Sequence, residues 1–342
     1  MENVCFGAGS AFRTKNIKLI LDIVMSKGEH SKRDIAASSG LSPKTVSSII
    51  EYLLDKGAII EKASERHTVG RPAGVYAPNT ETLFLALDLS HDDLYAEITN
   101  ASMQRLMSYA YHPQRGLSYD ENWRRFLSSV KSRSESILYS HSLSGVCAAV
   151  SSEYDTQLRE FEIRQTVEDY LGVRIDMFRE CTDAAIKSWQ HKFPDCASGV
   201  TAYLYVGEGV DSAIFVDGTP LIGKNGRRSM LGLSMDSSLE ILDSRIRRCV
   251  SDTALTDELA RAVYNLTVTL YPQSLVLDID VREPNIVLER LRNVLYRVYH
   301  LDMADLPDIF IDNARKARHT AKGCVLFLRE AWCGQILKGQ LS

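Results

Sequence analysis

Residues 31–57 read SKRDIAASSGLSPKTVSSIIEYLLDKG, and their cap and turn residues set the architecture of the N-terminal part of the chain. Ser31 precedes KRDIAASS and is placed to cap it, its hydroxyl accepting from an amide left without a partner in the first turn, with Asp34 completing a capping box. Gly40 supplies a tight turn. Ser42 caps the next helix, Pro43 takes its first position, where no amide hydrogen is needed, and Gly57 terminates it. Helix, glycine turn and helix at this spacing predict a helix-turn-helix. Val46, Ile49, Ile50 and Leu53 fall on one face of the second helix, which leaves Lys44, Thr45, Ser47 and Ser48 outward near its start. A recognition helix enters the major groove N-terminal end first, so these four, with Ser31 and Ser42, are the candidate DNA contacts.

Outward from this pair, Ile17, Ile20, Leu21 and Val24 recur at helical spacing and predict a preceding helix. After it, AIIEK and GVYAPN flank a turn with Arg66 and His67 and predict a two-stranded wing, whose tip offers Arg66 and Arg71 to the DNA backbone or a minor groove. Residues 1–80 hold eleven Lys or Arg against eight Asp or Glu, a balance of +3, while the whole chain carries −4. The local surplus suits a polyanion. The same small unit could instead dock a protein, with its serines simply solvated.

The whole chain has 342 residues, 45% hydrophobic and 25% charged, enough for a sizeable core and for two or three domains. Its net charge excludes a histone-like polycation and an acidic disordered chain. No run of apolar residues is long enough to span a bilayer, and MENVCFGAGSAFRTKN lacks the pattern of a signal peptide, so a cytoplasmic protein with no membrane partner is expected. Seven scattered cysteines without CxxC spacing read as reduced thiols, and eight separate histidines without an HxxxH pair suggest no metal. His91, Asp92 and Asp93 read as a solvated hairpin turn rather than a metal site. No nucleophile and no cofactor are assigned.

From residue 83 the texture changes. LFLALDL, LYAEIT and QRLMSYAY predict a meander, followed by a helix through Trp123, Phe126, Leu127 and Val130, a strand GVCAAV, a helix from around Phe161 to Leu171, a strand VRIDMF and a helix from about Thr182. The order then repeats: TAYLYV, VDSAIFV and TPLIG, helices at about 238–249 and 253–270, a strand SLVLDID, a helix from Pro284, a strand DIFID and a last helix to about Trp332. Two such halves predict an α/β body of the duplicated actin-like, ribonuclease H-like kind, with lobes at about 80–195 and 200–342, behind a winged helix-turn-helix at 1–79.

GRPAGVYAPN at 70–79, between a winged helix and a strand ending in Asp88, resembles the linker of the ROK family of repressors, open reading frames and sugar kinases. The resemblance extends over nearly all the chain: ALDLSHDD is similar to the family's first phosphate loop, GEGVDSAIFVDGTPLIGKNG to its glycine-rich second loop, and LYPQSLVLDID to its proline-led strand. It implies a regulator with a sugar-kinase-like body. Carried over residue by residue, the kinase chemistry is incomplete. Ser90 and His91 stand where the first loop has glycines, and Asp211, Ser212 and Ala213 follow Gly207 and Gly209 where more are expected. The sugar-gripping Glu-x-Gly-His corresponds to Met230, Leu231, Gly232 and Leu233, and the zinc-binding His and Cys run has no counterpart in SMDSSLEILDSRIRR. Asp88, Thr182 and Asp183 remain as vestigial catalytic candidates, Asp183 doubling as an ordinary first-turn carboxylate. The expectation is a DNA-binding regulator, a repressor by type, that is not an enzyme, works as a homodimer or dimer of dimers on an approximate inverted repeat of double-stranded DNA, and is open to a sugar or sugar-derived effector. A ROK hexose kinase with a fused DNA-binding domain is the alternative.

Overall fold

The computed structural model describes residues 8–26, 29–63, 74–89, 93–141, 143–150, 156–207, 210–224, 229–236, 239–279, 281, 283–312 and 319–339. The N-terminal module is α1 (Ala8–Met25), β1 (His30–Ser31), α2 (Lys32–Ser39), α3 (Pro43–Asp55), β2 (Ile59–Ala63) and β3 (Gly74–Pro78). Its helices close on Ile17, Ile20, Leu21, Val24, Ile35, Val46, Ile49, Ile50 and Leu53, all at most 5% exposed. Each such side chain contributes about 1.5–3 kcal/mol on burial, which is why four inward positions on a helix of thirteen residues suffice to seat α3. β2 and β3 form the expected wing, and β1 pairs with β3 through His30↔Tyr76 and Ser31↔Val75, making it three-stranded.

The body repeats one design. The first half contains β4 (Leu83–Asp88), β5 (Leu94–Asn100), β6 (Arg105–Tyr111), α4 (Tyr119–Ser140), β7 (Leu143–Val150), α5 (Thr156–Leu171), β8 (Met177–Glu180) and α6 (Cys181–Lys192). The second contains β9 (Val200–Val206), β10 (Val210–Val216), β11 (Thr219–Pro220), α7 (Leu242–Arg247), α8 (Asp252–Leu270), β12 (Ser274–Ile279), α9 (Pro284–Arg297), β13 (Asp308–Asp312) and α10 (His319–Leu337). The first sheet runs β6-β5-β4-β7-β8 and the second β11-β10-β9-β12-β13, so both have the same order relative to the chain, an antiparallel meander with further strands beside its first member. This is the duplicated actin-like architecture.

Two compact units cut across the chain order. One comprises Met1–Ala148, Gln157–Phe178 and Val325–Ser342; the other comprises Ala149–Thr156 and Arg179–Cys324. In the first, α4 lies against β5 and β6, with Phe126 stacked on Tyr109 at 6.1 Å between ring centroids. In the second, one face of the sheet packs Ala202, Leu204, Leu275 and Leu277 against α8 and α9, and the other packs Tyr203, Phe215 and Val276 against Ala185, Ile186 and Trp189 of α6. A close approach fixes Gly323 in α10: a Cβ there would meet the carbonyl oxygen of Ala184 at 1.7 Å, so no larger residue fits.

The strand expected over VRIDMF sits later, at Met177–Glu180. Asp176 lies just ahead of it, and its carboxylate receives the amide of Val146 at 2.7 Å. The helix expected at about 238–249 is confined to Leu242–Arg247, because Met235 and Ile241 form an antiparallel bridge just before it.

Candidate nucleic-acid interface

The helix pair is built as its punctuation demands. In α2 the amide of Asp34 donates to Ser31 Oγ at 3.2 Å, and the amide of Ser31 donates to Asp34 Oδ2 at 3.0 Å, a complete capping box. Gly40, at φ 67°, occupies the left-handed region that ends the helix, its amide donating to Ala36 O at 3.0 Å. In α3, Ser42 Oγ accepts the amide of Thr45 at 3.2 Å and lies 2.8 Å from Thr45 Oγ1. Gly57 follows the helix at φ 61°. The hydroxyls of Ser31 and Ser42 are thus engaged in holding the two helix starts.

Lys44 and Ser48 are exposed and Thr45 and Ser47 half-buried, opposite the inward Val46, Ile49, Ile50 and Leu53. These four candidates are brought together on one stripe of α3. Arg66 and Arg71 lie outside the described residues. The exposed Arg13, Lys15, Lys18 and Arg33 were not singled out in the sequence; the surplus of cations before residue 80 was their signal. Lys62 of β2 bridges to Glu29 at 3.2 Å, and Lys32 stands over the ring of Tyr76 at 5.7 Å. Burial, together with the carboxylate of Glu61 that its hydroxyl contacts, pushes Tyr76 up to about 12.

The second compact unit carries what resembles a phosphate loop. Such loops hold an anion with backbone amides that no side chain obstructs. Here the amide of Val210 donates to Asp243 Oδ1 at 2.8 Å and that of Ser212 to Asp211 Oδ1 at 2.8 Å. The hydroxyl of Tyr205 lies where a Cβ of Gly207 would be, 2.0 Å from that position. Gly209, like Ser90, His91 and Asp92 of the first loop, lies outside the described residues. Gly232 allows a close approach to Val210, whose carbonyl oxygen a Cβ would meet at 2.4 Å, while Met230 and Leu233 on either side are exposed.

Asp88 is buried at the end of β4 in the first compact unit, and Thr182 and Asp183 are buried in the first turn of α6 in the second. Beneath α6, Tyr203 donates to Asp278 Oδ2 at 2.7 Å, and burial followed by the charge of Asp278 pushes its hydroxyl well above the ordinary value. Asp278 is the register neighbour of Asp312, whose Oδ2 lies 3.0 Å from His319 Nδ1.

Around α7 the carboxylates are held in ion pairs with arginines. Arg245, 8% exposed, reaches Glu258 at 3.0 Å and Asp236 at 3.3 Å; Arg248 pairs with Glu240 and Arg247 with Asp243. Cys249 donates its thiol to Arg245 O at 3.4 Å, and burial, with Glu258 nearby, pushes that thiol up, away from the thiolate a metal needs. Among the described residues, no group of three or more His, Cys, Asp or Glu could hold a metal ion, and no helix is long and apolar enough to cross a membrane.

Residues 13–60 match the family model described as winged helix-turn-helix DNA-binding. No curated protein matches the chain in sequence. Among solved structures, a ROK family transcriptional regulator, a homolog of the Escherichia coli MLC protein, matches 96% of this chain and 99% of its own at 14% identity and a TM-score of 0.66. The ROK hexokinase of Thermus thermophilus matches 72% of this chain and 100% of its own (14% identity, TM-score 0.54). A ROK family glucokinase from Streptomyces griseus, in complex with glucose and AMPPNP, matches 71% and 98% (10% identity, TM-score 0.54). The chain therefore joins a winged helix-turn-helix DNA-binding domain to a body with the fold that ROK regulators and ROK sugar kinases share.

Proposed function

We propose that this protein is a DNA-binding transcriptional regulator, a repressor by type, whose kinase-like body has lost phosphoryl transfer and serves dimerisation and the sensing of an effector. The observation that carries the reading is the stripe Lys44, Thr45, Ser47 and Ser48 on a helix whose inner face and both ends are fully committed to holding it in place. A lysine and short hydroxyl side chains suit phosphate oxygens and base edges. Arg66 and Arg71 would add backbone or minor-groove contacts from the wing. A homodimer, or a dimer of dimers, would present recognition helices in symmetric pairs, and the operator would then be an approximate inverted repeat. Loss of catalysis is supported by the second loop, where carboxylates and Tyr205 occupy the amides and space that a triphosphate needs, and Asp211 would add repulsion. Asp88, Thr182 and Asp183 are then vestiges.

Selection of genomic fragments on the purified full chain at moderate salt tests the reading. The expected result is enrichment of one sequence with two-fold symmetry, with an affinity that falls steeply as salt rises because phosphate contacts release counterions. Recovery of no sequence above background overturns it.

A further inference from the structure

The outward stripe of α3 continues past the candidate DNA contacts. Tyr52 follows Ser48 at the spacing that puts two side chains on the same helix face, and its hydroxyl donates to the main-chain carbonyl of Ile336 at 2.7 Å. Ile336 lies in the last turn of α10, where carbonyls have no partner further along the helix; its oxygen also accepts the amide of Gly339 at 3.0 Å, so both lone pairs are used. The ring of Tyr52 in turn carries Arg13 of α1, 5.8 Å above its centre.

The same stretch of α10 is tied down independently. Trp332 stands edge-on to Phe84 of β4, ring centroids 6.2 Å apart, which anchors α10 on the first sheet. Arg329 and Glu330 lie close enough to act on Asp22 of α1, whose carboxyl is raised mainly by burial. Burial also lowers Arg329 and pushes Cys333 up to about 11. The path from Phe84 through Trp332 and Ile336 to Tyr52 lies within one compact unit.

We propose that the last turns of α10 are a strut that sets the pose of the recognition helix on the first sheet, and that Tyr52 is the positioning residue through which the strut acts. The inference rests on the DNA-reading function proposed above. Tyr52 then acts on the geometry of the reading module and not by contact with bases. A reading module hung on a flexible tether accepts half-sites at many separations, whereas one held by a strut accepts a narrow range. Tyr52→Phe removes the hydrogen bond and keeps the ring, its packing and its contact with Arg13.

The test compares the full chain and Tyr52→Phe on duplexes carrying two half-sites separated by a randomised spacer, and follows backbone hydrogen exchange over residues 48–57 and 331–339 in both proteins without DNA. The wild type should enrich one narrow spacing. Tyr52→Phe should read the same half-site sequence, bind the best spacing about fivefold more weakly and accept a broader range. Its non-specific affinity and salt dependence should be unchanged, because the substitution removes no cation, and both segments should exchange faster. Equal affinity and an equal spacing profile for the two proteins overturn the proposal. If the wild type enriches no sequence, the DNA-reading function fails by itself; exchange then still decides whether the contact holds the two helices together, and unchanged exchange rules the strut out.

Discussion

At the residue scale, the positions legible in the sequence are those whose role is settled by immediate neighbours. Ser31, Asp34, Gly40, Ser42, Pro43 and Gly57 all take the cap and turn positions their types demand, because a cap needs only three or four consecutive residues to define it. Tyr52 could not be read this way, since its partner lies 284 positions along the chain. Cys333 is a second residue whose environment is set mainly by burial. Burial raises its thiol from 9.0 to about 11, so the folded state holds a proton that the unfolded state gives up in that range. Its contribution to stability is therefore complete below pH 9 and is lost as the pH rises toward 11. Urea unfolding of the wild type should show stability falling over that window by roughly 2 kcal/mol more than in Cys333→Ala, and parallel pH profiles for the two proteins would contradict the raised thiol.

At the element scale, the meanders, the parallel strand SLVLDID and the helices from Tyr119 and Pro284 were legible because each carries its own periodicity or start signal. β1 was not, as two residues have no period and exist as a strand only by pairing with β3. The last helix runs past Trp332 to Leu337 because Ile336 is completely buried, a tertiary gain that Gly334 in the sequence conceals. The short α7 depends on its ion pairs: Arg245 ties it to Asp236 and to Glu258 of α8, and donates to Glu240 O at 2.7 Å. Arg245→Met should cost about 3 kcal/mol, since removing one member of a buried pair strands the other charge, even though Arg261 stays within 3.9 Å of Glu258. A chelator should leave the unfolding midpoint of the wild type unmoved. A midpoint that falls with chelator, or an Arg245→Met midpoint equal to the wild type, would show that something other than this network holds the segment.

At the scale of the whole molecule, the duplicated architecture was legible as a repeated order of elements, while the exchange of helices between the compact units was not, because it depends on which sheet each helix covers rather than on its own sequence. α6 follows the first half in the chain yet packs on the second sheet, and the end of α10 returns to the unit of the first. The body's proposed loss of catalysis makes a plain prediction: incubated with ATP and a panel of hexoses and amino sugars, the protein should form no more sugar phosphate than Thr182→Ala/Asp183→Ala does, and turnover above that control would restore the kinase reading. On the proposed function the outer face of α3 enters the duplex through Lys44 and Thr45. Fluorescence anisotropy of the selected duplex with wild type and with Lys44→Ala/Thr45→Ala, both checked for equal unfolding midpoints, should show tight, salt-sensitive binding by the first and only non-specific binding by the second. Equal affinity and equal sequence preference for the two proteins would contradict it.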